Sequence, residues 1–130
     1  MKLVKIFAVA SIIFLLLDGV WLGYVAKNFY IKNLGPLLPL KDGNIQFNLG
    51  AAIVVYIALI SGLVLLALPH ANGHWLAALG FGVFYGFVTY ATYDFTNLAT
   101  LKDWNWTVAM VDTCWGMTIC GLTAMFTTLI

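Results

Sequence analysis

Four apolar runs, each long enough to cross a bilayer, decide what this chain can fold into. They occupy residues 3–26, 46–68, 75–101 and 106–130. A helix rises ~1.5 Å per residue, so about 20 residues cross a hydrocarbon core of ~30 Å. No water is present there to satisfy a free backbone N–H or C=O, so only helices and closed barrels span. Barrel strands are about ten residues long and alternate in polarity. These runs are longer and lack that alternation. The chain reads as an all-α integral membrane protein, a four-transmembrane-helix bundle built as a single domain over residues 1–130.

Composition closes off the soluble alternative. Of 130 residues 63% are hydrophobic and 8% charged, with six Lys, five Asp and neither Arg nor Glu. A soluble domain carries about 25% charged residues. A net charge of +1 provides no basic field for nucleic acid. Lys2 and Lys5 ahead of an apolar run resemble a signal peptide, but no A-x-A cleavage pattern follows, and the segment is expected to stay as the first span. Cys114 and Cys120 are six apart, about 120° from a common helix face, and no disulfide is expected between them.

The connectors set the topology. Residues 27–45 hold Lys27, Lys32, Lys41, Asp42 and the breakers Gly35, Pro36, Pro39 and Gly43, with Phe29, Tyr30 and Ile31 expected at the membrane interface. Pro69 is expected to end the second span and Asn72-Gly73 to turn the chain. So short a link makes spans two and three an antiparallel hairpin. The third helix is read to stop either near Asp94 or near Lys102. Lys27, Lys32, Lys41 and Lys102 flank one side, Lys2 and Lys5 the other, which favours cytoplasmic connectors at 27–45 and 94–106.

The acids carry the functional signal. Asp18 lies nine residues before Lys27, Asp94 eight before Lys102, and Asp112 nine after Asp103. With the flanking charges at the membrane surface, each of the three lies ~12–13 Å inward along its helix. The alternating helix directions put all three in one leaflet, on the side of the long connectors, together with Asn48 and Asn97. A charged Asp in a span costs about 2.5–3.5 kcal/mol on insertion scales. No Lys or Arg lies near these acids within the spans to pair with them; Lys5 is at the opposite end of the first. Three such groups are expected to converge on each other or on a wet cavity, and desolvation and mutual repulsion favour a neutral acid for at least one. Trp21 and Trp115, one turn from Asp18 and Asp112, and Tyr90, one turn from Asp94, are the expected hydrogen-bond partners.

Other patterns are weaker. His70 and His74 have metal-ligand spacing, but Pro69 and Asn72-Gly73 put them in a turn. Met110, Cys114 and Met117 share a helix face away from Asp112 and read as packing or lipid-facing residues. No metal and no cofactor is expected. Gly19-x-x-x-Gly23 and Gly82-x-x-x-Gly86 are close-packing signatures, compatible with contacts inside the bundle or with a homodimer through either face. There is no phosphate loop, nucleophile elbow or Ser-His-Asp set, so catalysis is not the favoured reading.

The stretch Tyr90-Ala91-Thr92-Tyr93-Asp94-Phe95-Thr96-Asn97-Leu98-Ala99-Thr100-Leu101, followed by Trp104 and Val111-Asp112-x-x-Trp115-Gly116, resembles an uncharacterised family of small bacterial membrane proteins, catalogued as domain of unknown function 2177. Leu17-Asp18-x-x-Trp21-Leu22, with Tyr30 and Leu34-Gly35 after it, resembles the start of that family. The resemblance implies an integral protein of the bacterial cytoplasmic membrane and brings no activity with it. The expected function is binding or transport of a proton, cation or small polar solute at Asp18, Asp94 and Asp112, helped by Trp21, Trp115, Asn97, Tyr90 and Asn48. The alternative is a lipid-handling or accessory protein in which the Asp/Trp cluster is structural or binds a lipid headgroup.

Overall fold

The computed structural model describes residues 2–130. Four helical rods dominate it, over Lys2–Val25, Leu49–Ala71, Trp75–Thr100 and Trp106–Leu129, each long and apolar enough to cross a membrane. The first is α1 (Lys2–Val20) continued by a wide π turn over Trp21–Val25, in which the Ala26 N–H donates to the Trp21 carbonyl at 2.7 Å. Such wide turns inside helices recur at functional sites; this one starts three residues after Asp18.

The connector that follows is structured. Helix α2 (Lys27–Leu34) buries Tyr30 and Leu34 and shares a small core with Ala26 and Val108. Residues 26, 30 and 34 are spaced four apart, so they form one stripe, and that stripe lies on the start of the last helix. Tyr30 was expected at the interface; it is buried instead, at 7% exposure. A short hairpin, β1 (Leu40–Lys41) with β2 (Asn44–Ile45), turns at Asp42 and Gly43, both with positive φ as a two-residue hairpin turn demands. Lys27 donates to the Asn44 side chain and ties α2 to this hairpin.

The second rod begins with α3 (Leu49–Gly62), capped by the Asn48 side chain, which accepts from the Ala51 N–H at 3.1 Å. It passes through another wide turn over Leu63–Ala67 into α4 (Leu68–Ala71). Pro69 does not end this span as expected. The Leu68 N–H reaches back to the Leu63 carbonyl, and Pro69 then falls in the first turn of α4, where a missing N–H costs nothing. Asn72 and Gly73 make the turn, both at positive φ.

Helix α5 (Trp75–Thr100) runs past Asp94, which settles the open boundary in favour of the longer helix. Asn105 caps α6 (Trp106–Leu129) by accepting from the Val108 N–H at 2.9 Å. These two helices form the closest pair in the bundle. A Cβ on Gly82 would come 2.5 Å from the Cys120 carbonyl oxygen, and one on Gly86 would come 2.2 Å from that of Gly116. Gly116 in turn lies under the Tyr90 ring. The Gly82/Gly86 face is therefore occupied by the chain's own α6. A Cβ on Gly19 or Gly23 would meet nothing within 4 Å, so that face stays open.

Candidate functional site

The three acids Asp18, Asp94 and Asp112 arrive from three different rods and meet in the half of the bundle next to the long connectors. Asp18 is 7% exposed and Asp94 fully buried, while Asp112 is half-buried. The Asp18 carboxyl accepts from the Tyr56 hydroxyl at 2.5 Å and from the Trp115 indole N–H at 3.1 Å. It thereby links α1, α3 and α6. The Asp112 carboxyl accepts from the Tyr30 hydroxyl at 2.6 Å, and Tyr30 accepts from the Trp21 indole at 3.1 Å. Burial and the adjacent Asp112 carboxyl push the Tyr30 hydroxyl up from its ordinary value, which keeps it a donor.

Each tryptophan serves the acid of the other helix. Trp115 satisfies Asp18 directly, and Trp21 reaches Asp112 through Tyr30, whereas the one-turn spacing pointed to the acid on the same helix. The two indoles stack at 4.4 Å with planes 6° apart.

Asp94 differs from the other two. Neither of its carboxyl oxygens has a hydrogen-bond partner. It lies against Asp112, close enough for a shared proton to bridge the two carboxyls.

Asp18 and Asp112 line a cavity of about 410 Å³, within the ordinary size range of a small-ligand site. Tyr56, Tyr90, Tyr93 and Trp115 supply aromatic walls. The cavity exists because α3 leans on α1 while α5 meets the second rod chiefly farther along, at Leu63–Ala67 and Leu68–Ala71. The last tie between α3 and α5 is the Tyr85 hydroxyl, donating to the Leu59 carbonyl at 2.8 Å. On the connector side of that tie the two helices part, and the cavity opens on the flank of the bundle between Val55 and Tyr93, both more than half exposed.

Of the other expected site residues, Tyr90 lines the cavity and Asn97 lies half-buried beside Tyr93. Asn48 is exposed and spent on capping α3, away from the acids. Two participants escaped the sequence reading. Tyr30 was placed at the interface, and Tyr56 was not singled out. Both carried a signal. Tyr56 is the one polar side chain between Asn48 and Ser61, eight residues past Asn48, and so at the same ~12 Å depth as the acids.

Helix α2 covers this end of the bundle, and the Tyr30 hydroxyl adds to the packing that holds it there. Tyr30→Phe removes both ends of the Trp21–Tyr30–Asp112 chain while keeping the ring in its packed position. The expected cost to stability is about 1 kcal/mol, typical of hydrogen bonds in membrane bundles. Amide hydrogen exchange at residues 27–34 should quicken, with α5 and α6 unaffected. Unchanged exchange there would mean that packing alone holds α2.

No curated protein and no solved structure matches this chain. A family model does, described as Predicted membrane protein (DUF2177), over residues 3–129, a range that takes in all four rods and all three acids. The chain is a member of that membrane-protein family.

Proposed function

We propose that the chain binds a cation-bearing solute inside the membrane, with Asp18 and Asp112 as its carboxylate partners and Asp94 as the reserve acid behind them. The observation that carries this reading is that two carboxyls line one cavity, while the lysines of the first span, Lys2 and Lys5, lie at its far end, at least thirteen residues from Asp18, and none lines the cavity. Aromatic faces around a carboxyl pair suit an ammonium group, which gains both from charge and from the ring quadrupole. The unpartnered Asp94 argues in the same direction, since a site that takes up and releases a cation needs a place for the compensating proton. On this reading the protein sits in the bacterial cytoplasmic membrane with residues 27–45 and the turn before α6 on the cytoplasmic side.

The flank opening between α3 and α5 favours a second reading, in which the same carboxyls hold the headgroup of a lipid.

Tetramethylammonium is a suitable probe. Titrated into the protein in nanodiscs, it should shift tryptophan fluorescence saturably, because Trp21 and Trp115 line the cavity. A response no different from that of a disc carrying an Asp18→Asn, Asp112→Asn double variant would reduce the cluster to a structural role.

A further inference from the structure

We propose that the natural ligand is an amphiphile with one ammonium group and one apolar chain, which enters sideways from the bilayer between α3 and α5. This rests on the cation-binding reading above and narrows it to a substrate class. The cavity is polar at one end and apolar along its length. Asp18 and Asp112 form the back, and Ala52, Val55 and Leu59 of α3 line the way out. Those three residues span seven positions of helix, or ~10 Å along the axis, which leads from the connector side toward mid-membrane. The exposed lining residues Val55 and Tyr93 mark an opening between α3 and α5, while on the connector side the Tyr30 latch of α2 holds Asp112 and Phe47 lines the cavity. A small hydrated ion has no reason to use a lipid-facing entrance, whereas a lipophilic amine is already concentrated there.

Charge selects the headgroup. A phosphate or carboxylate head would meet two acids, with no cationic side chain lining the cavity. An ammonium head meets complementary charge together with the rings of Tyr56 and Trp115. Fully buried Asp94 lies against Asp112, so a proton taken up from the aqueous phase as the amine leaves can be shared between the two carboxyls and lower the charge of the emptied site.

The test compares dodecyltrimethylammonium, tetramethylammonium and dodecanol on the full chain in nanodiscs, with each signal corrected for uptake by empty discs. Saturable binding of the tailed ammonium is expected, lost about tenfold or more in Asp112→Asn and weakened severalfold in Ala52→Phe, which fills the cleft. Dodecanol should not saturate. If Ala52→Phe leaves tailed binding untouched while Asp112→Asn abolishes it, the carboxyl site stands and the lipid-side cleft does not. If neither substitution matters, the carboxyl site falls as well. A photoreactive group at the end of the dodecyl tail gives an independent readout on the unaltered protein. Adducts should fall on residues 52–59 and 89–93, and adducts only elsewhere would overturn the lateral entry.

Discussion

Gly86→Leu is expected to cost the bundle about 3 kcal/mol, the upper end of ordinary overpacking. A Cβ at Gly86 would meet the Gly116 carbonyl oxygen at 2.2 Å and the Met117 Cα at 2.8 Å. Both are backbone atoms, which cannot rotate away, so α5 and α6 would have to separate. That separation would also withdraw Tyr90 from Gly116 and pull Asp94 from Asp112, since these contacts share the same seam. Gly23→Leu is the matched control, because nothing lies within 4 Å of a Cβ there. Its effect on the monomer should stay within about 0.5 kcal/mol. Denaturant unfolding in micelles separates the two, and equal losses would contradict the α5–α6 seam. A change in oligomeric state confined to Gly23→Leu would assign the open Gly19/Gly23 face to a partner copy.

Asp112→Asn is expected to weaken tetramethylammonium binding by about a hundredfold, the scale set by truncating one member of a buried charge pair. Its effect on stability should be small by comparison. The asparagine side chain still accepts from Tyr30, and its amide can donate to Asp94, whose two oxygens otherwise have no partner. The combination of a large loss in binding and little or no loss in stability separates a ligand site from a cluster that merely holds helices in register. Equal losses in both would favour the cluster.

Much of this architecture is legible in the sequence because the membrane leaves few choices. Run length alone gives the number of spans, and the spacing from Lys27, Lys102 and Asp103 predicts that the three acids lie at one level. Errors of boundary came where local chemistry was outweighed. Pro69 looked like a stop, but the wide turn at Leu63–Ala67 shifts the hydrogen-bond register and carries the helix through it. Asn48 looked like a site residue because it lies on the same side as the acids, yet its side chain caps its own helix terminus. The exchange of partners between Trp21 and Trp115 could not be read from spacing, because it depends on how two helices face each other. The same limit applies to the two glycine pairs. Their spacing is identical, and only the packed structure shows one pair occupied and the other open.

Solid-state NMR of the protein in lipid, with aspartate carboxyl carbons labelled, tests the central claim most directly. The chain has five aspartates, of which Asp42 and Asp103 lie in exposed connectors, and single Asp→Asn variants assign the resonances. On adding tetramethylammonium, the Asp18 and Asp112 signals should move together and saturate, with Asp42 and Asp103 unmoved. Signals from Asp18 and Asp112 that stay fixed under saturating probe, or that move no more than those of Asp42 and Asp103, would contradict a cation site within the membrane.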